Sequence, residues 1–105
     1  MVETETQQSV TEWAEATFGH VTNPSVIVDR TKIEIEELLG AVTSGDKVNI
    51  GKETADVIIL LYRLLEIHGL KVDEVVNAKM AENRSRTGLA KGDGTGSHIK
   101  PDARD

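Results

Sequence analysis

Glu34 with Glu37 and Glu53 with Asp56 form two pairs of carboxylates, each pair three residues apart in a stretch that reads as helix. At about 100° per residue, an i, i+3 pair lies on one helical face. On a helix from about Ser25 to Val42, the residues Ile27, Ile35, Leu38, Leu39, Ala41 and Val42 mark a broad apolar arc, with Glu34 inside it and Glu37 at its border beside Arg30. On the following helix Glu53 stacks beneath Val57, Leu60 and Leu64, and Asp56 is hemmed by Ile59, Leu60 and Ile67. A carboxylate on a core-facing stripe costs several kcal/mol unless a cation or donor meets it. Four of them imply a positively charged ligand, and hard oxygen donors suit Mg²⁺, with Mn²⁺ as the other candidate. The competing account is a solvated acidic face, with Glu53 favoured by the dipole of a first helical turn. Glu36 points to the opposite face.

A second group lies further along. Val72, Val76, Lys79, Asn83 and Arg86 follow a 4-3-4-3 spacing, so one helical seam turns cationic and amide-bearing toward its end. A triphosphate would find Lys79, Asn83 and Arg86 along one line. Basic residues in a last turn also simply complement the helix dipole.

Four helices must position these groups. The first runs from about Glu5 to Phe18, with Val10, Trp13, Ala14 and Phe18 in a 3.6-residue stripe. Asn23 or Ser25 caps the second, which stops near Thr43, Ser44 and Gly45. The third extends from about Ile50 to His68, closed by Gly69. The fourth starts at Asp73, read as an N-cap, or just before it and continues to about Arg86. The third is apolar on most of its circumference and reads as a buried central helix, which three partners cannot cover; oligomerisation should complete the bundle. No alternation suggests a strand, so the expected class is all-α, with a helical domain over residues 1–88 and a flexible Gly-rich tail over 89–105. The run Gly92-x-Gly94-x-Gly96 belongs to that tail, because neither a strand nor a helix pattern flanks it as a phosphate loop requires.

Composition excludes several classes. The 105 residues suffice for one small domain, and the three aromatics Trp13, Phe18 and Tyr62 leave an aliphatic core. Zero cysteines exclude disulfides and thiolate metal sites and suit a reducing cytoplasm. The polar, acidic start is no signal peptide, and no apolar run approaches a membrane span. Of 18 acidic and 12 basic side chains, fifteen and nine fall within residues 1–86, so the net charge of −6 sits in the helical part. An acidic body is a poor partner for nucleic acid polymers. His20, His68 and His98 lack metal-ligand spacing, and there is no Glu-x-x-His of the di-iron bundles.

Glu34-x-x-Glu37, fifteen intervening residues, Glu53-x-x-Asp56 within "ETADVIILLYRLLEIHG", and then "VNAKMAENRSR" resemble the MazG-like all-α nucleoside triphosphate pyrophosphohydrolases over about Trp13 to Arg86. The resemblance implies a four-helix fold assembled as a homodimer or homotetramer. It implies Mg²⁺ held by Glu34, Glu37, Glu53 and Asp56, and cleavage of a nucleoside triphosphate to monophosphate and pyrophosphate. Lys79, Asn83 and Arg86 would hold phosphates, Glu37 would accept the proton of the attacking water, and Trp13 would stack a nucleobase, although a lone Trp on an apolar stripe also reads as core. Many relatives carry a further Glu immediately before the first motif, where this chain has Ile33. A related phosphoribosyl-ATP pyrophosphohydrolase and a non-catalytic helical dimerisation module are the alternatives.

Overall fold

The computed structural model describes residues 4–90 and 92–99, without the side chains of residues 87, 90, 98 and 99. Its elements are α1 (Gln7–Phe18), α2 (Ser25–Ser44), α3 (Lys47–Ile67), α4 (Val72–Arg84), β1 (Thr87–Ala90) and β2 (Gly96–Ile99). The four expected helices are present, and the all-α class holds. No helix among the described residues is long and apolar enough to cross a membrane. The chain divides into two compact units, residues 1–72 and 73–105.

In the first unit each helix boundary has a local cause. Thr6 caps α1 reciprocally: its hydroxyl accepts from Ser9 N at 3.0 Å, while Ser9 Oγ accepts from Thr6 N at 2.7 Å. Asn23 Oδ1 accepts from Ser25 N and Ser25 Oγ, and Pro24 stands at the N-cap of α2. Gly45, at φ +71°, reverses the chain after α2 as a residue with a Cβ does so only under strain. Asp46 then caps α3 by accepting from Asn49 N at 3.1 Å, which starts that helix three residues before the expected Ile50. After α3, Gly69 adopts φ +68°, and Leu70 N donates to Leu65 O at 3.0 Å.

The core is small and lies where α3 packs on both α1 and α2. Val10, Ala14, Ile27 and Ala41 are its fully buried apolar residues, joined by Thr11 and Thr31. Both threonine hydroxyls are satisfied within their own helices, donating to Gln7 O and Ile27 O. Gln7 fastens the far end: its amide nitrogen donates to Glu66 Oε1 and Leu70 O, and its amide oxygen accepts from Val72 N.

Three expectations are corrected. Trp13 and Phe18 leave the stripe of α1 and are 58% and 67% exposed, because Val10, Thr11 and Ala14 turn toward the core and Trp13 lies about 100° away from Ala14. The broad arc of α2 splits in two. Ile27, Thr31, Glu34, Leu38 and Ala41 form the inward seam, whereas Val28, Ile35, Leu39 and Val42 stay exposed. α3 is central but none of its residues is fully buried, since α1 and α2 cover only part of its circumference.

The second unit adds a fourth difference, in the tail. β1 and β2 pair antiparallel in the register Thr87↔Ile99 to Ala90↔Gly96, so strands occur where none was expected and the anticipated boundary at residue 88 falls inside β1. Gly92 and Gly94, at φ +93° and +94°, build the turn. Asp93 Oδ1 accepts from Thr95 N and Thr95 Oγ1, and these bonds hold the Asp93 carboxyl below the usual range. The remainder of the expected tail, residues 100–105, lies outside the described residues.

Candidate active site

Glu34 and Glu37 are on α2, and Glu53 and Asp56 are on α3, so the hairpin at Gly45 and Asp46 brings two helical faces together. Carboxylate oxygens of Glu34, Glu37 and Glu53 all lie within 4.8 Å of one another. Asp56 stands one turn further along α3, outside that closest trio, but its charge reaches both Glu34 and Glu53. Glu36 is exposed and contributes nothing to the cluster, as its helical angle requires.

Like charges at this spacing repel strongly where water is scarce. Burial, followed by hydrogen bonding to Glu37 and repulsion from Glu37, Asp56 and Glu53, raises the Glu34 carboxyl above the ordinary glutamate value. Burial and the charge of Glu37 do the same for Glu53. Arg30 answers part of this charge, with Nη2 at 3.4 Å from Glu34 Oε1. Two oxygens of the cluster, Glu34 Oε2 and Glu53 Oε2, are buried without a hydrogen-bond partner. Two orphaned acceptors in a ring of carboxylates, with no thiolate or imidazole among them, fit a hard divalent cation such as Mg²⁺ or Mn²⁺.

Glu34 and Asp56 also line a cleft of about 470 Å³ between the three helices. Its other end is aromatic. Trp13 and Phe18 meet edge to face there, with ring centroids 5.5 Å apart, and Arg63 Cζ sits 6.0 Å from the Phe18 ring centre. The loop after α1 closes this end, held by His20 Nδ1 at 2.7 Å from Glu15 Oε2. The cleft therefore joins an anionic, cation-seeking end to a flat apolar one, a shape suited to a nucleotide.

The chain matches the phosphoribosyl-ATP pyrophosphohydrolase family profile over residues 2–83. The dATP/dGTP diphosphohydrolase of cyanophage S-2L is 32% identical over 84 residues, covering 80% of each protein. This chain is a member of the MazG-like pyrophosphohydrolase family. A solved structure of the cyanophage S-2L MazG-like pyrophosphohydrolase, bound to dGDP and three catalytic Mn²⁺ ions per active site, superposes with a TM-score of 0.74 at 29% identity, covering 90% of this chain and 93% of that one. Membership makes the chain a hydrolase of the nucleotide pyrophosphohydrolase type, as the resemblance implied.

Within the second unit, the expected phosphate-binding residues are linked by one carboxylate. Glu82 Oε1 lies 3.4 Å from Lys79 Nζ and 3.3 Å from Arg86 Nη1. Asn83 Oδ1 is buried without a partner. Ile33, at the position before the first motif, is about half exposed and offers no donor atom. Arg63, Phe18 and Asn23 are cleft residues to which sequence reasoning gave no part in the site. For Arg63 the signal was present: a cation seven residues after Asp56 lies on nearly the same helical face.

Proposed function

We propose that this family member hydrolyses nucleoside triphosphates to nucleoside monophosphate and pyrophosphate in the cytoplasm, with Mg²⁺ as the physiological metal and Mn²⁺ as a working substitute. The observation that carries this reading is the pair of orphaned oxygens, Glu34 Oε2 and Glu53 Oε2, at the anionic end of a cleft whose other end is aromatic. Glu34, Glu37, Glu53 and Asp56 hold the metal, which when bound neutralises the triphosphate and lowers the pKa of water. Glu37, the exposed member of the close trio, accepts the proton as water oxygen bonds to the α-phosphorus and the bond to the α–β bridging oxygen breaks. Lys79, Asn83 and Arg86 hold phosphate oxygens, with Lys79 and Arg86 exchanging their shared Glu82 partner for the substrate. Trp13 stacks the base from the aromatic end.

The test is a panel assay. With Mg²⁺ the purified protein is expected to release pyrophosphate from nucleoside triphosphates, the cyanophage relative's dATP and dGTP among them, and not from diphosphates, which lack the leaving group. The family profile also carries the phosphoribosyl-ATP description, so that compound belongs in the panel. Turnover of it alone overturns the triphosphate reading.

The exposed seam of α2 supports the oligomer. Val28, Ile35, Leu39 and Val42 recur at helical spacing, and Leu39 is 58% exposed, a heptad-like stripe that in water favours a second copy. A homodimer or homotetramer is expected by light scattering, and the pair Ile35→Glu with Leu39→Glu is expected to shift it to monomer. A monomeric parent sinks this part of the reading.

A further inference from the structure

Arg63 stands on α3 seven residues beyond Asp56, which is about 10 Å along the axis at 1.5 Å per residue. Its side chain lines both the cleft and an adjoining hollow that includes Glu15 and Glu66. Among the described residues no carboxylate comes within ion-pair distance of it; the pairs there are His20–Glu15, Arg30–Glu34, Lys79–Glu82 and Arg86–Glu82. A guanidinium is a planar fork of donors that cannot be neutralised, so one left without a carboxylate in a recess seeks a pair of acceptors.

Position decides which acceptors these are. Given a nucleotide in the cleft, as proposed above, its phosphates belong at the carboxylate end, where Arg30 already lies against Glu34. The base then rests on the Trp13 ring, which meets Phe18 edge to face, and Arg63, over the Phe18 ring, meets an edge of that base rather than a phosphate. Asn23 lines the same end, and its Oδ1 is already taken by Ser25 N and Ser25 Oγ. Of the side chains at this end, the Arg63 guanidinium is the cation that can only donate.

We infer that Arg63 reads the nucleobase and selects guanine over adenine by donating to O6 and N7 together. Guanine presents two acceptors on that edge, whereas adenine presents N7 beside an amino donor, so one arm of the fork meets another donor. Hypoxanthine carries the same O6 and N7 and lacks the 2-amino group; it is accepted like guanine. Pyrimidines offer no N7 and lose the second bond.

Steady-state hydrolysis of dGTP, dITP and dATP by the full-length protein tests this, comparing the parent with Arg63→Lys and Arg63→Met. The parent is expected to favour dGTP and dITP over dATP by about 10- to 100-fold in kcat/KM. Arg63→Met is expected to lower kcat/KM for dGTP and dITP by a similar factor and for dATP by clearly less, since adenine loses only the single N7 contact, so that the preference collapses. Arg63→Lys is expected to retain only part of the preference, because a point donor cannot span both acceptors. Equal loss on dGTP and dATP, or a parent without guanine preference, overturns the assignment. Calorimetric binding of dGMP against dAMP separates this from failure of the function itself. A parent that hydrolyses no triphosphate but binds dGMP more tightly, through Arg63, contradicts the hydrolase reading and supports the base contact. Equal binding of the two monophosphates overturns the base contact whatever the hydrolysis.

Discussion

Glu53→Gln is expected to cut pyrophosphate release to about 1% of the parent or less, a loss of at least about 100-fold, while far-UV circular dichroism stays unchanged. Replacing even a group that only supports a metal ligand costs roughly 10- to 100-fold, and Glu53 belongs to the close trio itself. The amide keeps the volume of the carboxylate, so packing between α2 and α3 survives. It replaces one buried orphaned oxygen by a neutral amide, which weakens a hard cation's binding and relieves the repulsion with Glu37 at the same time. The variant is therefore expected to fold as well as the metal-free parent. Glu36→Gln, one position from Glu37 but exposed and outside the cluster, is the internal control and should be silent. Retained turnover in Glu53→Gln would remove the second motif from the active site.

Metal and pH should act on stability through the same carboxylates. In the metal-free protein Glu34 and Glu53 hold protons more tightly than in the unfolded chain, because burial and their neighbours raise both above the ordinary value of 4.5. The sign follows from linkage: the contribution of these groups is fully present below the unfolded value and is lost as pH rises through the raised folded values. Melting temperature in EDTA is therefore expected to fall as the pH rises above the ordinary value of 4.5, from this source. Mg²⁺ or Mn²⁺ binds the ionised cluster and reverses the trend. At a metal concentration about 100 times the dissociation constant the gain is ~2.7 kcal/mol, which at roughly 4–8 °C per kcal/mol for a domain of this size raises the melting temperature by about 10 °C or more. A melt at neutral pH that is the same in EDTA and in millimolar Mg²⁺ would count decisively against a metal at these residues.

Both expectations depend on features that differ in how local they are. An i, i+3 pair of carboxylates shares a face because of helical pitch alone, so the two acidic claws, the silent position of Glu36 and the existence of α1 to α4 could be read from the chain. The same holds for caps whose signals are adjacent, such as Gly69 after α3. Asp46 was equally legible, since it follows a Gly that ends α2 and accepts from Asn49 N, yet the apolar run that begins at Ile50 drew the expected start inward.

The sequence by itself determined the helices, the chemistry of their faces and the family; the tertiary structure alone decided which faces meet. α2 carries two apolar seams, and periodicity assigns neither of them to the core. The rotation that turns Ile27, Thr31 and Ala41 inward carries Glu34 against Glu53 and leaves Val28, Ile35, Leu39 and Val42 outside. Likewise Trp13 and Phe18 have the spacing of core residues. They line a cleft because Ala14, with no measurable exposure, lets the small face of α1 settle on α3 and sends the rings to the side. The glycines near residue 94 pointed to a tail by composition, whereas pairing of Thr87–Ala90 with Gly96–Ile99 uses them as a turn. Pitch within a helix is a property of the backbone at each residue, so it is written locally. Proximity across helices depends on rotations set by the sum of many weak contacts, and no single residue encodes it.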